Sequence, residues 1–182
     1  MTAPEARSDR RSLRTLILLR HGKSDYPGGT RDFDRPLADR GEAEAAAAGR
    51  WLRETQPAVD HVLCSASLRT RQTLAATGIR TPVDYVAEIY DASADEVLTQ
   101  INKVDESVGT LLVVGHAPGL PGLASELADA SSDRKALREM HSKFPTSAMA
   151  VFTTGGAWKD LAEEGAALVA FEVARLDHRD HL

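Results

Sequence analysis

Two short apolar runs, each cut off by a histidine, constrain this chain more than any other feature. Leu16-Ile17-Leu18-Leu19 is four large aliphatic residues bounded by polar sequence, and it reads as a strand buried on both faces. It stops at Arg20-His21-Gly22, where the glycine frees the backbone to turn. Thr110-Leu111-Leu112-Val113-Val114-Gly115 repeats the pattern and ends at His116. Strands of this kind belong to α/β sheets, which gather their chemistry beyond the carboxyl ends of the strands.

The remaining elements fit that frame. Asp39 opens a helix that runs to about Glu54, with Ala43, Ala46, Ala47 and Trp51 sharing a face at helical spacing, and Pro57 ends it. Val59 to Cys64 reads as a second strand, leading into a helix that starts among Ser65-Ala66-Ser67-Leu68-Arg69, with serine available as cap. Pro82 to Val86 is a third strand, and Ser93-Ala94-Asp95-Glu96 is a capped start for a helix carrying Val97, Leu98 and Ile101. A helix after His116 runs to about Ala128, and Ala136 to Met140 is weak helix or loop. Ala148 to Thr153 and Ala166 to Val173 are strands separated by a hairpin-like break at Gly155-Gly156. Alternating strands and helices predict a three-layer α/β/α sandwich with a mostly parallel central sheet. The last two strands, with no helix between them, add an antiparallel edge and make the sheet mixed.

At 182 residues the chain is long enough to bury a substantial core, and one domain over 13–176 is expected. Residues 1–12 read as a disordered extension and 177–182 as a polar tail. The net charge of −5 argues against a broad nucleic-acid footprint and means that any anion site must be a local concentration of arginines. No apolar run approaches a membrane span, and the run at 16–19 is too short for a signal peptide. Cys64 is the lone cysteine, so no intrachain disulfide forms and a reducing, cytoplasmic location is the simpler expectation.

Several motifs fail on spacing. Gly22-Lys23-Ser24 follows a strand, but a phosphate-binding nucleotide loop needs glycine at position 17, which is Ile17. Gly115, Gly119 and Gly122 do not make a dinucleotide fingerprint. The six histidines carry no H-E-x-x-H or C-x-x-C pattern, so no metal site is expected; His178 and His181 read as a solvated tail, and Cys64 as core. Arg71 faces away from Arg69 and reads as a surface charge.

What remains is Arg20, His21, Arg69 and His116, each at the carboxyl end of a strand or at the start of the next helix. Two arginines can bind phosphate oxygens through their planar forks and neutralise charge as it shifts. A neutral histidine is a nucleophile, and neighbouring guanidinium groups favour the neutral form. A second histidine, protonated by a bound phosphate dianion, can donate to a phosphoryl oxygen. The constellation therefore fits phosphoryl transfer through a phosphohistidine, with neither metal nor nucleotide.

Leu19-Arg20-His21-Gly22 resembles the signature of the histidine phosphatase superfamily, which has the phosphoglycerate mutase-like fold. Arg35-Pro36-Leu37 with Gly41, Ser65 through Arg69 to Gln72-Thr73, and Gly115-His116-Ala117-Pro118 are similar to its later segments in the same order. Phe144-Pro145-Thr146-Ser147-Ala148 resembles a late segment of its small phosphohistidine phosphatase (SixA-type) branch. The resemblance implies that His21 is the phosphorylated nucleophile, that Arg20, Arg69 and His116 form the phosphate pocket, and that the enzyme is cytoplasmic and needs no cofactor. In larger relatives a glutamate protonates the leaving oxygen. Glu88 is the positional candidate, as acid or as a rim residue, and Asp25, close behind His21, is a further candidate. The SixA-type branch can dispense with that acid. Lys23 and Ser24 either line the pocket mouth or are surface residues.

The expected activity is hydrolysis of phosphohistidine in a protein. A generalist phosphatase for small phosphate esters and a non-catalytic phospho-ligand binding module are the alternatives. No long insertion is available to form a lid that would seal a phosphoenzyme from water, which argues against a mutase.

Overall fold

The computed structural model describes residues 12–176. The expected N-terminal extension, apart from Ser12, and the tail with His178 and His181 lie outside the described residues. Six strands form one sheet: β1 (Arg14–Arg20), β2 (His61–Ser65), β3 (Val83–Val86), β4 (Thr110–Gly115), β5 (Ala148–Thr154) and β6 (Ala167–Val173). Their order across the sheet is β3-β2-β4-β1-β5-β6. The first four in that order run parallel, β5 pairs antiparallel with β1, and β6 pairs antiparallel with β5. The mixed sheet with an antiparallel margin is the expected one.

Five helices cover the sheet: α1 (Asp39–Thr55), α2 (Leu68–Thr77), α3 (Ala94–Ile101), α4 (Gly119–Leu127) and α5 (Arg134–Ser142). Successive side chains of β1 go to opposite faces, as the pleat requires. Leu16 and Leu18 join Leu111 and Val113 in a core beneath α3, α4 and α5, where Val97, Ile101, Leu120, Leu123 and Met140 pack. Ile17 and Leu19 join Leu112 and Val114 on the other side, beneath Ala48 and Leu52 of α1 and Leu74 of α2. The four aliphatic residues of β1 are therefore all fully buried, divided between two cores.

Three readings of the sequence need correction. The buried face of α1 is Gly41, Glu44, Ala45, Ala48, Gly49 and Leu52, while Ala43, Ala46, Ala47 and Trp51 sit on its half-buried shoulder. In a helix this rich in alanine the apolar pattern does not single out a face. The two glycines do, because only their bare backbones fit against the Lys23 and Thr77 carbonyls. The weak segment at 136–140 is part of a full helix, α5, capped by Asp133, whose side chain accepts from the Ala136 N–H at 2.8 Å. The break at Gly155-Gly156 opens a longer connection that includes a short turn of 3-10 helix at Trp158–Asp160 rather than a tight hairpin. The capped start at Ser93 is present as a full capping box with Glu96.

Candidate active site

Because β1, β4 and β2 are parallel neighbours, their carboxyl ends deliver Arg20, Gly115 and Ser65 to one edge of the sheet. Arg20 stands opposite Gly115 in register, and the His21 N–H donates to the Gly115 carbonyl at 3.0 Å. His21 and His116 follow directly from those strand ends. Each is only 8% exposed, and their ring centroids lie 5.2 Å apart with the planes tilted by 56°.

The turn after His21 is held from three sides. The Gly22 N–H donates to Thr73 Oγ1 at 2.9 Å, tying the turn to α2. A Cβ at Gly22 would come within 2.7 Å of the Gly41 carbonyl at the start of α1, so this close approach requires glycine. The Ser147 N–H is shared between the Arg20 and His21 carbonyls at 3.1 Å each, and Ser147 adopts φ 61, a left-handed conformation uncommon for serine. His21 Nδ1 lies 2.7 Å from the Gly22 carbonyl. A carbonyl can only accept, so Nδ1 carries the proton in the neutral ring and Nε2 keeps its lone pair.

Burial pushes His21 down to about 4, opposed by the Gly22 carbonyl and reinforced by the positive charges of Arg69, Arg20 and Arg35. His116 is pushed to about 3, again first by burial and then by His21 and Arg69. Guanidinium groups favour the neutral imidazole, as the sequence implies, but loss of water is the larger cause. His116 Nε2 pairs with Ser65 Oγ at 2.7 Å, and its Nδ1 is buried without a partner among the described residues.

Arg20 donates from Nη1 to the Phe144 carbonyl at 2.8 Å. Arg69, the second residue of α2 and 6% exposed, donates from Nη1 to the Asp32 carbonyl at 2.6 Å and from Nη2 to Asp32 Oδ2 at 3.1 Å. The Nε–H groups of both arginines are buried without an acceptor among the described residues. Two unmatched guanidinium donors and one unmatched imidazole nitrogen are costly in a folded interior, and an oxyanion supplies what all three lack.

Of the other candidates, Ser24 is buried, but its hydroxyl accepts from Arg35 Nη2 at 2.6 Å, so it positions an arginine. Lys23 is exposed, and its contribution to the turn is a carbonyl that accepts from the Ala38 N–H at 2.9 Å. Asp25 is exposed and offers its carbonyl to Arg35 Nε at 3.0 Å. Glu88 is exposed on a short turn (Ala87–Ile89), where it lines one cleft with His61, Asp84, Gln100 and Lys103 and another with Tyr90, Asp91 and Glu96. Two residues later, the ring of Tyr90 meets His116 edge-on at 5.6 Å. Arg71 is exposed and stacks over Tyr85, and Cys64 is a buried thiol pushed up to about 12 by burial.

Sequence reasoning missed four participants. Ser65 orients His116, Arg35 adds charge beside His21, and Asp32 with Tyr90 fixes the outer side of Arg69. Asp32 and Arg35 lie in a loop rich in Gly, Pro and Asp, where no periodicity tells a structural charge from a solvated one. The available signal is the spacing of Asp32 and Arg35, which lets Arg35 Nη1 reach Asp32 Oδ1 at 3.1 Å across one short helical turn.

The family model of the histidine phosphatase superfamily (branch 1) matches residues 16–165. The chain belongs to the histidine phosphatase superfamily. An uncharacterized protein of Mycobacterium tuberculosis is 51% identical over 158 residues, covering 86% of this chain and 100% of the relative. A provisionally assigned phosphohistidine phosphatase SixA from Nakamurella multipartitia superposes with a TM-score of 0.83 at 43% identity, over 90% of this chain and 98% of that one. The protein histidine phosphatase SixA complexed with tungstate shares the fold, with a TM-score of 0.70 at 22% identity over 88% of this chain and 97% of its own. Both the phosphoglycerate mutase-like sandwich and the reading of a phosphatase in the SixA-type branch hold for this histidine phosphatase.

Proposed function

We propose that this protein hydrolyses phosphohistidine in a protein, through a phosphoenzyme on His21 and without a metal. The observation that carries the reading is the pair of buried histidines, ring centroids 5.2 Å apart, beside two arginines whose buried Nε–H groups have no acceptor among the described residues. In this mechanism the Arg20 and Arg69 donors take the phosphoryl oxygens, and His21 Nε2 attacks phosphorus in line. A bond forms from His21 Nε2 to phosphorus as the bond to the substrate's imidazole nitrogen breaks, and the Gly22 carbonyl holds the Nδ1 proton throughout. The bound dianion favours protonation of His116, whose Nδ1–H then donates to a phosphoryl oxygen. Water next attacks phosphorus and His21 Nε2 leaves, releasing phosphate.

No carboxylic acid is needed in this cycle. Asp32, which bonds the pocket arginine Arg69, is held at about 2, first by the Tyr90 hydroxyl and then by Arg35 and Arg69, so it carries no proton at neutral pH. An imidazole leaving group takes its proton from solvent, whereas an alkoxide needs a donor; the site therefore favours phosphoramidates over alkyl phosphates. With Glu88 exposed, we assign it no acid role. The buried lone thiol, kept reduced, supports a cytoplasmic location, with residues 13–176 as the working unit.

The test is a side-by-side turnover assay of a phosphohistidine-bearing protein and a panel of small phosphate esters in metal-free buffer, with His21→Ala as blank. The expected result is strong preference for phosphohistidine and no turnover by the variant. Preference for an ester would move the function to a general phosphomonoesterase, and turnover by His21→Ala would remove the nucleophile assignment. Phosphate binding without turnover of any substrate would leave a phospho-ligand binding module.

A further inference from the structure

A groove of about 530 Å³ lies beside α5 and the end of β6, with Pro145, Phe171 and Val173 as its apolar part. Its basic residues are Arg138, Lys143 and Arg175, and its acidic ones are Glu139 and Glu172. Glu139 is already engaged at 3.7 Å by Lys135. The chain as a whole is acidic, with 22 Lys and Arg against 27 Asp and Glu. The segment 134–143 reverses that balance: Arg134, Lys135, Arg138 and Lys143 stand against Glu139 alone, and all five are exposed. A basic patch on an acidic protein is a local feature that attracts a partner the rest of the surface repels.

The groove is joined to the catalytic edge by covalent chain. Lys143 and Pro145 line it, while between them the Phe144 carbonyl accepts from Arg20, and three residues after Phe144 the Ser147 N–H donates to the Arg20 and His21 carbonyls. Strand β6 is antiparallel to β5, which is antiparallel to β1, so the Arg175 end of β6 lies at the same sheet edge as His21. The five residues from Lys143 to Ser147 span at most about 14 Å when extended, which keeps the groove within a few residues of an extended substrate from the turn that holds His21.

We infer that this groove docks an acidic, partly apolar segment of the phosphohistidine-bearing protein, with carboxylates about three to five residues from the phosphohistidine. The inference rests on the function proposed above and names what that substrate presents. Apolar side chains of the segment cover Pro145 and Val173, and its carboxylates meet Arg138, Lys143 and Arg175. None of those three basic residues belongs to the phosphate pocket, so the groove acts on substrate choice and not on the chemical step.

The experiment uses two synthetic phosphohistidine peptides that differ only in carrying Glu or Gln three to five residues to either side of the phosphohistidine, with free phosphoramidate as the small substrate. The full chain is compared with the charge reversal Arg138→Glu, Lys143→Glu, Arg175→Glu. The wild-type protein is expected to prefer the Glu peptide about tenfold in kcat/KM, through KM and more strongly at low salt. The reversed variant is expected to lose or invert that preference while turning over phosphoramidate within twofold of wild type. Equal treatment of the two peptides by the wild-type protein, or equal loss on peptides and phosphoramidate in the variant, overturns the inference. Binding of the labelled peptides to His21→Ala reads the groove without turnover. A Glu preference there, with no hydrolysis of any phosphoramidate by wild type, would overturn the proposed reaction and keep the groove; equal binding would overturn the groove.

Discussion

Asp32 accepts hydrogen bonds from Arg69, Arg35 and Tyr90, although its side chain is 52% exposed. Few half-exposed carboxylates are so fully used, and the consequence falls on Arg69. With Nη1 and Nη2 held by the Asp32 carbonyl and carboxylate, the guanidinium has one orientation, and its Nε–H is left to take the phosphoryl group in the proposed reaction. Tyr90 closes the arrangement by bonding Asp32 at 2.7 Å while its ring edges onto His116. Replacing Asp32 by alanine is therefore expected to lower kcat/KM by about tenfold to a hundredfold, the scale of a misplaced reacting group. Asn at the same position keeps one acceptor and should recover part of the loss. Because the carboxylate is half exposed, water can replace it beside the two guanidiniums, and the melting temperature should fall only modestly. Steady-state kinetics with thermal melts decide it: a loss of activity that simply tracks unfolding, with no rescue by Asn, would make Asp32 structural.

At the scale of elements, legibility followed burial. β1 and β4 were readable because a strand covered on both faces is written as an unbroken apolar run, and the Ser93 cap because its chemistry is local. The same runs pointed to Arg20, His21 and His116, since parallel strands end at one edge. The buried face of α1 was not readable, because glycine contacts depend on backbones distant in sequence. Gly49 shows the physics: alanine there would improve helix propensity by about 1 kcal/mol, yet its Cβ would run into the Thr77 carbonyl at the end of α2. Gly49→Ala is expected to destabilise by about 1–3 kcal/mol, the range for forced overpacking. Gly28→Ala, with nothing near its Cβ position, should be close to neutral. Urea titrations of both variants test this, and an unchanged midpoint for Gly49→Ala would mean that α1 and α2 can slide apart cheaply. α5 escaped for a different reason: it buries only Ala136 and Met140, too few residues to set a helical period against six polar neighbours in a nine-residue segment.

Keeping two imidazoles neutral under a covered sheet edge has a consequence for the whole molecule. His21 near 4 and His116 near 3 both lie below the 6.5 of an unfolded chain, so between those values the unfolded state binds protons that the folded state refuses. Stability is then flat above about pH 6.5 and falls as pH drops toward 4. At pH 5 each histidine contributes a loss on the order of 2 kcal/mol relative to pH 7.5. Asp32, held at about 2, acts in a separate window, since its contribution is present above its unfolded value near 3.8 and is lost only below it. The double variant His21→Gln, His116→Gln removes both titrations and is expected to flatten the decline between pH 6.5 and 5 while leaving stability at pH 7.5 little changed. Inorganic phosphate should stabilise the wild-type protein at neutral pH by binding the folded state, and should not stabilise the double variant. Melts of both proteins across pH 4.5–8, with and without phosphate, carry the decision. A parallel decline in wild type and double variant would place the acid sensitivity elsewhere in the molecule and would mean that the two imidazoles are far better solvated than their burial implies.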